Sequence, residues 1–358
     1  MDHALRRERL SARLADLGVD ALLVTYLPNV RYLTGFTGSS GQLLVTADAA
    51  VFFSDGRYTE QSAREAPDLE RVIHRGDFTA TLLDRCRHLG LSRLGFEAGA
   101  VTYRFWDELR SGSNGLDLVP AETEVERLRW VKDEEELALI RRAQETADVA
   151  FEQVVLGGLR EGTTERELAF DIELAMRRAG ADELAFQVIA AFGASAAEPH
   201  HSPTQRPLRP GDVVKLDFGA LVDGYHSDMT RTVAFGGLPA RLQEGRDVVA
   251  RAQQAGIDAV RAGAGAREVD RAARAVVEEA GLGEWFPHGL GHGVGLEIHE
   301  GPRLRWDSDD LLAAGAVVTI EPGVYIPSVG GVRIEDMVEV TDEGCREIGR
   351  SSKELIVL

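Results

Sequence analysis

Cysteine is scarce in this chain: Cys86 and Cys345 are its only two, and they lie far apart. That excludes a disulfide-stapled framework and a thiolate metal site, both of which need several cysteines at short spacings, and it points to a reducing compartment. Long apolar runs are missing as well. No segment approaches the roughly 20 residues needed to cross a bilayer. The opening MDHALRRERLSARLADLG reads as a charged amphipathic helix without the apolar centre of a signal peptide. A cytoplasmic protein is expected. Positive charge is in deficit, with 40 Lys and Arg against 59 Asp and Glu and a formal net charge of −19. A surface of that sign repels phosphate backbones and anionic lipid, and no local basic patch offsets it, so neither a nucleic acid nor a membrane is expected as a partner. Small neutral or cationic substrates suit it better.

What is present is an ordinary globular composition, 44% hydrophobic and 28% charged over 358 residues, a length that suggests two domains. Helical and strand-like signals alternate at first: a helix over Arg6 to Leu17, then ALLVT, GQLLVTADAAVFFS and LSRLGFE. That order predicts a small α/β domain. Helical periodicity then runs unbroken from Asp133 to Leu156, opening on acids that suit a helix N-terminus. The change of pattern divides the chain into residues 1–125 and 126–358. Within the second part, REGTTEREL (160–168) and RAGAGAREV (261–269) share the pattern R-x-G-x-x-x-R-E-apolar, each between two helical segments and followed by strands. Two αα-plus-hairpin halves related by an approximate two-fold are expected.

Each half carries an acidic hairpin. VVKLDFGA (213–220) and YHSDMTRTVAF (225–235) are joined through an Asp-Gly turn signal. Whether the turn centres on Val222-Asp223 or on Asp223-Gly224, strand parity puts Asp217 and Asp228 on one face, directly or diagonally opposed. Like charges forced together call for a shared proton or a bound cation. In the second half, AVVTIEPGVYI and GGVRIEDMVEV flank a Pro-Ser-Val-Gly-Gly turn, and a hairpin centred near Ser328 sets Glu321 opposite or nearly opposite Glu335. Oxygen-rich sets of this kind suit hard divalent cations. The run HGLGHGVGLEIHE (288–300) adds His288, His292 and His299. Its glycines argue against a helical zinc pair and for a close-packed loop entering a strand, with at least one histidine serving the cluster.

These residues resemble the pita-bread metallopeptidases, specifically the proline-directed branch of Xaa-Pro aminopeptidases and Xaa-Pro dipeptidases. DFG (217–219), HSDMTRT (226–232), HGLGHGVGLEIHE, TIEPGVY (319–325) and GVRIED (331–336) occur in the family's order, and TGFTGSSGQLLVT with DGRYTEQ resembles its creatinase/prolidase-like N-terminal domain. The resemblance implies an α/β N-terminal domain followed by an α+β pita-bread catalytic domain with internal pseudo-two-fold symmetry. It implies two divalent metal ions per chain, manganese ahead of cobalt or zinc. Asp217 would hold the outer metal, Asp228 and Glu335 would bridge both, and His292 and Glu321 would complete the inner one. Glu321 would also act as the base, His200 and His299 would serve proton transfer and the tetrahedral intermediate, and His288 and Arg333 would lie near the substrate. His201 is an alternative to its neighbour His200, and His226 is taken as structural.

The implied activity is cleavage of a peptide with proline in second position, by an aminopeptidase ahead of a dipeptidase, in a homodimer. A creatine amidinohydrolase or a non-catalytic binding protein on this fold would be expected to have lost metal ligands. A methionine aminopeptidase fits the long N-terminal part and GVRIED less well. One departure from the family is AFGAS (191–195), where relatives have Ser-Gly followed by an Asn two residues on. It is expected to alter the pocket and leave the metal site intact.

Overall fold

The computed structural model describes residues 1–358, which divide into two compact units, Met1–Arg129 and Trp130–Leu358. In the first unit the strand-like runs form a six-stranded mixed sheet in the order Glu70–His74, Ala50–Asp55, Gln42–Thr46, Ala21–Val24, Arg93–Glu97, Asp117–Ala121. Ala21–Val24 is buried along its whole length, as its unbroken apolar sequence requires of a central strand covered on both faces. The expected division after residue 125 falls inside the helix Glu124–Arg129. That helix stays with the first unit because it buries Val125 and Arg129, and because its Leu128 carbonyl accepts from the Tyr32 hydroxyl at 3.0 Å. No helix of the chain is long and apolar enough to cross a membrane.

The second unit is built twice over. Helices Glu134–Ala150 and Glu165–Ala179 precede a three-stranded sheet ordered Met229–Phe235, Asp212–Phe218, Ile189–Phe192. Helices Ala240–Ala259 and Ala266–Glu279 precede a five-stranded sheet and the hairpin Gly323–Ile326 with Gly330–Arg333. The two echoed segments lead from the first to the second helix of each pair. Local chemistry sets the helix starts: the Asp133 carboxylate accepts from the Glu136 amide and the Glu136 carboxylate from the Asp133 amide, both at 2.9 Å, and Thr164 with Glu167 repeats this reciprocal cap. The helical period read through Leu156 continues, but its last six residues, Phe151–Leu156, wind as a π-helix.

Period-two alternation then decides what faces the site. Along Asp212–Phe218, Val214, Leu216 and Phe218 pack with Phe151, Ile172 and Met176 of the first helical layer, which turns Lys215 and Asp217 to the other face. On the far side Val318, Ile320 and Val338 pack with Val249, Ala273 and Val277. An isolated antiparallel bridge between Thr230 and Glu335 joins the two halves at their inner faces.

Both acidic hairpins keep the register that parity demands. Asp223 and Gly224 take positive φ values of 46° and 76°, as a tight two-residue turn requires, and Val222 faces Tyr225. Carried along the strands, this register pairs Asp217 with Thr230 and leaves Asp228 diagonal to Asp217. In the second hairpin Ile320 faces Asp336 and Gly323 faces Arg333, so Glu321 falls opposite Glu335. The strand ladders are interrupted at Gly219, Asp228 and Glu321. Gly219 permits its break: a Cβ there would sit 1.8 Å from the Ser227 carbonyl oxygen.

Candidate metal and peptide site

A cavity of about 550 Å³ opens on the inner face of the second unit, and every site residue singled out from the sequence lines it. Asp228, His292 and Glu335 offer ligand atoms that all lie within 4.8 Å of one another. His292 Nε2 stands 3.4 Å from the Glu321 carboxylate and 3.6 Å from that of Asp228. His292 Nδ1 lies 3.1 Å from the Gly293 carbonyl, which can only accept, so Nδ1 carries the proton and Nε2 presents its lone pair to the carboxylates. The glycines around it are steric necessities. A Cβ at Gly291 would come within 2.0 Å of the Thr319 carbonyl oxygen, and one at Gly293 within 2.1 Å of that of Gly301. The run expected as a loop entering a strand therefore contains a short strand of its own, Gly291–Gly293, wedged between neighbours.

Electrostatics set the occupant. Burial, reinforced by Glu335 and Asp217, raises Asp228 well above the usual carboxylate range, and burial with Glu321 and Asp217 does the same to Glu335. Burial pushes Glu321 up to about 7. Burial and the neighbouring His299 hold His292 down to about 3, so it is neutral, the form a metal binds. Four carboxylates thus converge on one guanidinium, that of Arg333, which pairs with Asp217. Asp217 Oδ1 and Asp228 Oδ1 are buried without a hydrogen-bond partner. Uncompensated buried anions are costly, and orphaned carboxylate oxygens beside a neutral imidazole are the donor set that hard dications take. The residues fit divalent metal.

The remaining residues divide by what already holds them. Arg333 is buried and spends its donors within the protein: Nη2 on Asp217 Oδ2, Nε on Thr230 Oγ1 at 2.8 Å and Nη1 on the Tyr325 hydroxyl at 2.9 Å. His288 Nδ1 donates to the Gly289 carbonyl at 2.8 Å, and burial with Arg333 nearby holds its pKa down to about 3. Its Nε2 therefore accepts from the Tyr325 hydroxyl at 2.9 Å. Both residues expected near the substrate do line the cavity, and both are tied into one chain through Tyr325. His201 is gripped by Glu198 at Nδ1 (2.7 Å) and Glu165 at Nε2 (2.9 Å); burial opposes its protonation, but these two bonds raise its pKa overall. It is a structural tie; both histidines line the cavity, and His200 is the exposed one of the pair. His299 sits edge to face against His292 at 4.3 Å, and burial, with His200 nearby, lowers its pKa, so near neutral pH its ring is uncharged. His226 Nδ1 lies 3.0 Å from the Gly295 carbonyl, consistent with a structural role.

Arg303, which lines the cavity, escaped the sequence reading, and so did two residues that touch the site from behind its wall, Lys215 and Tyr325. Parity was the available signal for those two, since each lies an even number of residues from an acid, Asp217 or Glu321. The atypical AFGAS segment, expected to reshape the pocket, does not line it. Phe192 instead fills the core beneath the first helix pair, because strand alternation sends it away from the site.

Comparison with known proteins agrees with this geometry. The profile of metallopeptidase family M24 matches residues 138–342, and that of the creatinase/prolidase N-terminal domain matches residues 6–131. The Xaa-Pro dipeptidase of Pyrococcus horikoshii is 35% identical over 340 residues, spanning 94% of this chain and 95% of its own. Among solved structures, an Xaa-Pro dipeptidase from Bacillus anthracis superposes with a TM-score of 0.97 at 39% identity over 100% of both chains. An X-Pro aminopeptidase from Thermotoga maritima superposes with a TM-score of 0.89 at 33% identity, over 97% of this chain and 99% of that one.

Proposed function

The chain belongs to metallopeptidase family M24, and on that premise we propose that it is an Xaa-Pro dipeptidase working with two divalent cations, manganese first among them. The observation that carries the dipeptidase reading is Arg303. Its exposed guanidinium lines the cavity and makes no ion pair, whereas that of Arg305 is paired to Asp307 at 2.5 Å. In a dipeptide the proline carboxylate lies within a few bonds of the scissile amide and needs a cation at that reach; in a longer peptide the same position is a neutral amide. The names of the Pyrococcus horikoshii and Bacillus anthracis relatives favour the same reading over the aminopeptidase expected from motifs alone. Phe186, Ile189 and Ile298 give the cavity apolar wall for a pyrrolidine ring, whose amide nitrogen offers no N–H to recognise.

Asp217, Asp228, His292, Glu321 and Glu335 would hold the cations. Bound there, such ions supply an acidified water and a polarised carbonyl. Glu321 takes the proton from the attacking water and returns it to the departing nitrogen. His299, kept neutral, donates to the oxyanion, and His200, which lines the same cavity, reaches the same carbonyl. Arg333 holds Asp217 through Oδ2, which leaves Oδ1 free of any protein partner and open to a cation that would bind there.

Two measurements test this. Xaa-Pro should be hydrolysed at least ~100-fold faster than the matching Xaa-Ala. Arg303→Ala should raise KM for the dipeptide by about tenfold to a hundredfold, the loss of one charge-assisted bond, and leave KM for an Xaa-Pro amide unchanged. An Xaa-Pro-Yaa tripeptide cleaved faster than the dipeptide by the parent enzyme would return the chain to the aminopeptidases. Metal counting separates the ligand roles. At equal free manganese, Asp228→Ala should lose metal from both positions and Asp217→Ala from one, and full occupancy in Asp228→Ala would remove it from the bridging role.

A further inference from the structure

Strand parity places Lys215 on the same face as Asp217, with Ala191 and Thr232 as its ladder partners. The small Ala191 side chain leaves room for a long one beside it. Lys215 has no exposure to solvent, yet no carboxylate pairs with its ammonium group. The group donates instead to two backbone carbonyls, those of Glu198 and, at 3.3 Å, Pro199, and lies 5.0 Å from the centre of the Tyr325 ring. A buried amino group with only backbone acceptors is a costly way to fill a core, and an apolar side chain would fill the same space without the desolvation penalty. What the amino group does that methionine or leucine would not is grip the two residues immediately before His200.

His200 needs such a grip. It is exposed on the cavity wall, and no protein hydrogen bond holds its ring, so its position is set by the backbone on either side. On the C-terminal side His201 is pinned between Glu198 and Glu165. On the N-terminal side the pin is Lys215.

We propose that Lys215 is a positioning residue that fixes His200 against the scissile carbonyl by holding the carbonyls of Glu198 and Pro199. The inference rests on the role proposed above for His200. It is tested on the manganese-loaded enzyme with an Xaa-Pro dipeptide, using Lys215→Met and Lys215→Gln, each alone and combined with His200→Ala. Either Lys215 variant should lower kcat by about tenfold to a hundredfold, the scale of a misplacement near 1 Å, with bound manganese unchanged. Two side chains that act through one contact are not additive, so in the His200→Ala background the same substitutions should change kcat by less than about twofold. Hydrogen exchange over residues 198–202 should quicken in the Lys215 variants, a readout independent of turnover, and it carries the test on whichever of the two variants folds. Losses that multiply with that of His200→Ala, or exchange at the parental rate, overturn the inference and leave the role of His200 standing. His200→Ala at parental turnover overturns that role and the inference with it.

Discussion

Glu321→Gln should lower turnover of an Xaa-Pro dipeptide by about 10²- to 10⁴-fold while the fold persists, the range expected when a general base is removed. The substitution is nearly isosteric. The Thr319 hydroxyl, 3.3 Å from Glu321 Oε1, can donate equally to the amide oxygen, and the backbone bond from the Glu321 amide to the Leu290 carbonyl at 2.8 Å is untouched. What disappears is the capacity to take a proton from the attacking water. One anionic ligand disappears too, so metal content must be measured beside the rate. His299→Ala provides the contrast. His299 touches His292 through its ring but lies outside the Asp228, His292 and Glu335 cluster, so its loss should cost about 10²- to 10³-fold through the oxyanion alone, with metal kept. A Glu321→Gln protein that retains both its metal and its turnover would remove Glu321 from the proton path.

The difference between those two residues was legible in the sequence to an unequal degree, for a physical reason. Period-two alternation and one turn signal suffice to place Asp217 with Asp228 and Glu321 with Glu335, because a hairpin's register follows from its turn and a slip of one residue would bury the wrong face. Local chemistry likewise announced the helix starts, where Asp133 and Glu136 satisfy each other's amides. The choice between His200 and His201 was not local. It is made by Glu165, on a helix far away in sequence, and no spacing within Glu-Pro-His-His contains that carboxylate. Tyr325 and Lys215 share this character: parity gives the face, but only the assembled neighbours Arg333, His288 and the 198–199 backbone give the role. The family motifs marked AFGAS as a pocket element, and the fold sends its bulkiest residue into the opposite core.

Manganese affinity should rise steeply with pH between 6 and 8, by about tenfold per pH unit for each proton that binding displaces. Ordinary carboxylates are fully ionised above pH 6 and would give a flat profile. Here Asp228 and Glu335 are raised well above their usual range by burial and by neighbouring carboxylates, and Glu321 is raised to about 7, so metal must displace protons to bind. The sign for stability follows. A carboxyl whose folded pKa exceeds its unfolded value contributes stability at low pH, and that contribution is lost as pH rises from the unfolded value towards the folded one. For Glu321 that window runs from 4.5 to about 7. His288, held down to about 3, and Lys215, held down to about 7, act in the opposite direction, since the unfolded chain binds protons there that the folded chain has released. Neither belongs to the ligand set, so comparing loaded with metal-free protein at one pH isolates mainly the ligand carboxyls. The stabilisation conferred by a fixed free manganese concentration should therefore grow by about 1.4 kcal/mol per displaced proton per pH unit, roughly 2–4 °C in melting temperature for a domain of this size. Glu335→Gln removes one of the raised carboxyls and should flatten the slope. Thermal scans of chelated and reloaded protein at pH 6, 7 and 8 measure it. A gap in melting temperature that stays constant across that range would mean that Asp228, Glu321 and Glu335 do not hold the protons described above.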